Sequence, residues 1–153
     1  MHATSSLAQK LAHKYPLLTF APATVAHWSS LDNTVYYNSD EQHADWVLLH
    51  ETAHGLLGHR DYMRDIKLLA VEREAWHYAA TVLAPQFDIT VDSDFIETQI
   101  DTYRDWLHAK STCPTCQSTG YETSQQHYSC VHCGAAWRTN TGIDTEIRRF
   151  VAA

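Results

Sequence analysis

Apolar residues recur with helical spacing in four stretches of this chain and gather with strand-like density in one. Residues 6–14 predict a short helix that Pro16 stops. Across 24–38, the β-formers at 25–28 and 34–37 flank the turn-prone Leu31, Asp32 and Asn33, a pattern that predicts a hairpin. Ala44, Val47, Leu48 and Leu57 predict a helix from about residue 41 to 57 that ends near Gly58. A further helix over 61–83 is stopped by Pro85. Asp92 or Ser93 caps the last, whose Phe95, Ile96, Ile100, Tyr103, Trp106 and Leu107 line up as one apolar stripe for core packing. Helices and a small sheet following one another in this way place the chain in the α+β class.

Length and composition narrow the picture. The 153 residues suffice for one domain with a small appended module, and 44% apolar content is that of a globular chain. A net charge of -7 argues against general binding to nucleic acid or anionic membranes, since both require a surplus of Lys and Arg. The first fifteen residues lack the unbroken apolar run of a signal peptide, and the longest uncharged stretch, 15–31, contains two prolines and cannot span a membrane. All four cysteines fall between 113 and 133 in two pairs, which suits a metal site in a reducing compartment and predicts a cytoplasmic protein. Residues 1–110 carry all of the acidity, whereas 111–153 hold three acidic and three basic residues. This shift predicts a first domain over 1–110, a cysteine module over 111–140 and a tail over 141–153.

The segment Leu48-Leu49-His50-Glu51-Thr52-Ala53-His54-Gly55 carries the candidate chemistry. Residues four apart on a helix are separated by only about 40° around the axis, so His50 and His54 can reach one zinc ion from one face. Glu51, beside them, can take a proton from an attacking water and deliver it to a leaving amine. With 11 histidines in the chain, His-Glu-x-x-His is expected by chance only about 0.035 times. The plainer alternative is a pair of surface histidines on an amphipathic helix.

A catalytic zinc takes a third protein ligand and keeps a position open for water. His59, five residues after His54, points about 160° away from the pair if the helix continues. Glu72 and Glu74 lie about 200° apart on the next helix, so one of them at most faces the first. Leu68, Leu69, Ala75, Trp76, Ala79 and Leu83 define that helix's apolar arc, with Glu72 near its middle and Glu74 on the polar flank. A carboxylate inside an apolar face must be paired or bound to metal, which favours Glu72; a buried pairing with arginine is the alternative.

The stretch 49–59, followed by Glu72-Arg73-Glu74-Ala75 and Ala79-Ala80-Thr81-Val82-Leu83-Ala84-Pro85, resembles the ImmA/IrrE family of zinc metallopeptidases over residues 24–85. The resemblance implies a zincin-like metallopeptidase domain in which His50, His54 and Glu72 hold zinc and Glu51 is the acid/base. It also implies a protein substrate, often a separate helix-turn-helix repressor whose cleavage relieves repression. Trp76 stands where the family usually has Asn or Asp, and Tyr78 where it usually has Phe. Tyr62 and His77 are candidates for stabilising the oxyanion by their place in the sequence alone. The strand at 34–38 is expected to offer its edge to an extended substrate.

Cys113-Pro114-Thr115-Cys116 and Cys130-Val131-His132-Cys133 are two Cys-x-x-Cys knuckles joined by a short arm, the pattern of a structural zinc ribbon. Two zinc ions per chain are thus expected, one catalytic and one structural. Tyr121, Tyr128 and Trp137 are candidates for docking a protein partner. Two rival functions share these features. A SprT-like protease for DNA–protein crosslinks also joins His-Glu-x-x-His to a ribbon, but takes a later histidine in a Gly-His-Gly-like setting that this chain lacks. The other rival is a non-catalytic metal-binding regulator that sequesters its partner.

Overall fold

A computed structural model describes residues 3–62, 64–140 and 146–152. Leu7, Ala8 and Leu11 repeat at helical spacing and are buried, fixing one face of α1 (Ala3–Lys14). Its last turn closes through Tyr15 N–H to the Leu11 carbonyl at 2.8 Å, and Pro16 lies just beyond. The expected hairpin forms: β2 (His27–Ser29) runs antiparallel to β3 (Thr34–Tyr37), with Trp28 opposite Val35, around a turn in which Asn33 takes the left-handed conformation. A strand that the periodicity does not announce, β1 (Thr19–Pro22), adds to the other side of β3 in parallel, with Phe20 opposite Val35. The order β1-β3-β2 makes β3 the central strand. Its backbone is therefore occupied on both sides, and the edge expected at 34–38 belongs to β2 and β1 instead.

Helix α2 (Ala44–Leu56) packs on β3 and β2 and buries Leu48, Leu49, Thr52 and Ala53. Helix α3 (Asp65–Tyr78) starts four residues later than expected and then widens into one π turn over 79–83 and a 3-10 turn over 84–87. Pro85 falls in the first turn of that 3-10 segment, where its missing N–H costs no hydrogen bond. Helix α4 (Ser93–Ser111) follows, with Ile100 and Trp106 buried from the predicted stripe. β4 (Tyr121–Ser124), β5 (His127–Ser129) and β6 (Ala136–Thr139) form an antiparallel sheet that β7 (Arg149–Val151) extends. Residues 149–151, expected in a tail, thus pair with β6, while 141–145 lie outside the described residues.

The chain is of mixed α and β class and divides into two compact units, Met1–Arg60 with Arg73–Ser93 and Asp61–Glu72 with Asp94–Ala153. This partition differs from the division expected after residue 110, because α4 groups with the cysteine module. The first unit is cored by aliphatic residues such as Leu11, Val35, Leu48, Leu49 and Leu83. The second contains a cluster of Cys113, Cys130, Tyr128 and Trp137, with Tyr128 and Trp137 stacked at 5.9 Å. Tyr128 and Trp137 are hence interior residues and not the docking surface expected of them; of the three aromatics only Tyr121 is exposed. Among the described residues, no helix is long and apolar enough to cross a membrane.

Candidate metal centres

In the second unit, the two knuckles bring Cys113, Cys116, Cys130 and Cys133 together as free thiols. Sγ of Cys113 lies 3.6 Å from that of Cys133, and Cys116 lies 3.6 Å from Cys130. The backbone N–H groups of Thr115 and His132 point at the sulfurs of Cys113 and Cys130, both at 3.4 Å, the knuckle arrangement in which loop amides favour thiolate. The Ser118 hydroxyl and N–H hold the Cys116 thiol down at about 6. Cys133 moves the other way, up to about 12: the Ala135 N–H favours its thiolate, but burial and the three neighbouring sulfurs outweigh it. Four sulfurs this close all ionise only around a cation, and this group could hold a metal ion.

In the first unit, the helical spacing of His50 and His54 does what the sequence predicts. Both rings are buried, their Nε2 atoms lie 3.1 Å apart, and Glu51 joins them in a group that could hold a metal ion. A carboxylate oxygen of Glu51 is 3.4 Å from Nδ1 of His50. Thr52, on the opposite side of the helix, caps the Leu48 carbonyl at 2.7 Å inside the core, so the turn carrying His50 and Glu51 is fixed from within.

Several residues that support this site were not found from the sequence. Trp76 stacks its ring flat on His50, with centroids 4.1 Å apart and planes within 6°. The imidazole is thus held by its face. Glu41 approaches from the segment before α2; burial, then the charge of Glu51, push its carboxyl up, and its Oε1 is buried without a hydrogen-bond partner among the described residues. No signal in the sequence marks Glu41, which is ten residues from Glu51 and outside the helix.

His59 requires a correction. The helix ends at Leu56, and Gly58, with φ of +69°, turns the chain back, so His59 does not point away. Its Nδ1 lies 2.9 Å from Nδ1 of His54, and its Nε2 lies 2.7 Å from a carboxylate oxygen of Glu74. Glu74, placed on the polar flank of α3, is indeed largely exposed at 60%. Glu72 is buried, as its place in the apolar arc predicts, and lies in the second unit. His77 is exposed on α3. Tyr62 is half-buried in the second unit, its phenol pushed up by burial and by Asp65, Glu122 and Asp61.

Comparison with protein-family models, with curated proteins and with solved structures returned no match.

Proposed function

We propose that the chain is a zinc-dependent endopeptidase of zincin type that acts on a protein substrate, with a structural zinc in the cysteine module. The observation that carries this reading is the pair of buried Nε2 atoms 3.1 Å apart with Glu51 alongside. Two imidazole nitrogens on a tetrahedral zinc, at bond lengths of 2.0–2.1 Å, stand about 3.3 Å apart, so this donor pair fits zinc. The sulfur pairs at 3.6 Å likewise fit the roughly 3.8 Å that tetrahedral Zn–S bonds of 2.3 Å require.

A zinc ion held by His50 and His54 would lower the pKa of water towards neutrality and polarise a scissile carbonyl. Glu51 accepts the attacking water's proton and returns it to the leaving amine. Glu72, a buried carboxylate, is the third ligand by the sequence argument. Trp76 keeps the His50 ring in plane. An extended substrate segment adds to the free side of β2, whose other side is taken by β3 and which packs on α2. The resemblance to the ImmA/IrrE family suggests a separate transcriptional repressor as that substrate.

The test is Glu51→Gln. Wild-type chain and variant, both zinc-loaded, are incubated with a random-sequence peptide library and new termini are read by mass spectrometry. The variant retains its metal and loses cleavage by at least about 10²–10⁴-fold, because an amide cannot take the proton. Undiminished cleavage by the variant, or a histidine pair that takes up no zinc, overturns the reading.

A further inference from the structure

Beyond the proposed ligands and acid/base, the turn after α2 builds a chain of contacts that ends on Nδ1 of His54, the ring nitrogen not offered to the metal. Nδ1 of His54 meets Nδ1 of His59 at 2.9 Å, and Nε2 of His59 meets Oε1 of Glu74 at 2.7 Å. His59 is held there by more than its ring. Its backbone N–H donates to the His54 carbonyl at 3.0 Å, and its own carbonyl accepts from Nε1 of Trp28 at 3.0 Å. Trp28 reaches this position because residue 55 is glycine: a Cβ there would stand 3.0 Å from the Trp28 ring. The His59 side chain is only 12% exposed, so its two nitrogens have little water to turn to.

If Nε2 of His54 is to carry a lone pair for a metal ion and His59 is neutral, counting hydrogens leaves one assignment. Between two ring nitrogens at 2.9 Å, one carries the hydrogen and the other a lone pair. If His59 donated to His54, the His54 hydrogen would sit on Nε2, aimed at Nε2 of His50, and a neutral His59 would turn a bare nitrogen on the Glu74 carboxylate. With the reverse order, His54 Nδ1–H donates to His59, His59 Nε2–H donates to Glu74, and the lone pair of His54 Nε2 faces His50. Both bonds then point the same way and end on a charge, which strengthens each.

We infer that His59 and Glu74 are positioning residues: they lock His54 as the Nδ1–H tautomer and fix its ring so that Nε2 is presented to a metal ion. This inference rests on the metal reading of His50 and His54. A hydrogen-bond partner behind a metal-binding imidazole commonly sets affinity by 10–100-fold. Here a second histidine stands between the ligand and the carboxylate.

The experiment measures zinc affinity at the histidine site by chelator competition, with the cysteine site left intact, and reads the His54 tautomer from histidine side-chain ¹⁵N shifts in the zinc-loaded chain. His59→Ala weakens zinc by about 10–100-fold and loses the His54 Nδ1–H signal. His59→Asn, whose Oδ1 stands where Nδ1 stood, restores the signal and part of the affinity. Glu74→Ala, at an exposed side chain that leaves folding untouched, gives an intermediate loss, and Glu74→Gln a smaller one. If wild type and variants bind zinc equally and keep the same tautomer, the inference falls while the metal reading stands. If His59→Ala loses zinc as completely as His54→Ala and Asn restores nothing, His59 is a ligand and the positioning role is overturned. A wild-type chain that holds zinc at the cysteines alone overturns both.

Discussion

Trp76 shows how an imidazole can be held by its face. Its face lies 4.1 Å from His50, so it excludes water from one side of the imidazole and keeps the ring from rotating, but accepts no hydrogen bond from it. Trp76→Ala should destabilise the chain by about 3–5 kcal/mol in denaturant unfolding, the range for emptying a buried aromatic site. It should also loosen metal at the histidine pair, whereas Trp76→Phe keeps a ring face and should recover most of the affinity. A folded Trp76→Ala that binds metal as tightly as wild type would show the stacking to be packing alone. His50, Glu51 and His54 were legible because their relation depends only on the period of one helix. His59 was not, because its direction depends on where that helix stops and on the left-handed turn that Gly58 makes there. Trp76 and Glu41 depend on packing between elements, which spacing along the chain does not encode.

Among the elements, the long periodic helices and the hairpin could be read directly, and β1 could not. Thr19-Phe20-Ala21-Pro22 is too short to show an alternation, and its proline demotes it to the sheet edge where it is found. The end of α4 is more instructive. Lys110 lies where composition changes, and it is fully buried, with Nζ 2.8 Å from Asp65 at the start of α3. The ammonium also donates to Gln126 at 2.8 Å and lies 4.5 Å from the Trp106 ring centroid, while the Tyr128 hydroxyl donates to the same Asp65. A buried lysine is tolerable only with partners supplied by residues far away in sequence, and those cannot be seen locally. Burial, then the bond to Asp65, push the Tyr128 phenol well above its ordinary value near 10. The folded chain therefore holds that proton more firmly than the unfolded chain does. The resulting stabilisation is complete below pH 10 and is lost as pH climbs through the alkaline range. Tyr128→Phe should cost about 1.5–3 kcal/mol at pH 7, the worth of a hydrogen bond to a charged group. The gap between the two chains should narrow above pH 10, as urea unfolding at stepped pH would show. A gap that stays constant to pH 11 and beyond would mean that the phenol ionises alike in both states.

At the scale of the whole chain, the two compact units differ in what their cores are made of. The first is closed by aliphatic packing across α1, α2 and β3, with Leu11, Val35, Leu48 and Leu49 fully buried. In the second, two candidate metal ligands, Cys113 and Cys130, are themselves part of the hydrophobic cluster with Tyr128 and Trp137. Composition alone set the boundary at residue 110, since it registers where the acidity stops and not which surfaces bury one another. This contrast predicts unequal responses to metal removal. A structural zinc in a cysteine site supplies on the order of 10–16 kcal/mol, as much as the entire stability of a small domain. Without it, four sulfurs at 3.6 Å spacings either repel as thiolates or leave the core under-bound as thiols. Strong chelation should empty the open histidine site first, with little loss of structure, because Leu48, Leu49 and Ala53 hold α2 in place regardless. Stripping the cysteines should then abolish hydrogen-exchange protection across 113–139 while α1 and α2 remain protected. If amide protection in α2 falls at the same chelator concentration as in β5 and β6, the first unit does not stand on its aliphatic core alone. If β5 and β6 stay protected after all four thiols become titratable, packing around Trp137 suffices to hold the sheet, and the metal contributes no more than a constraint on two turns.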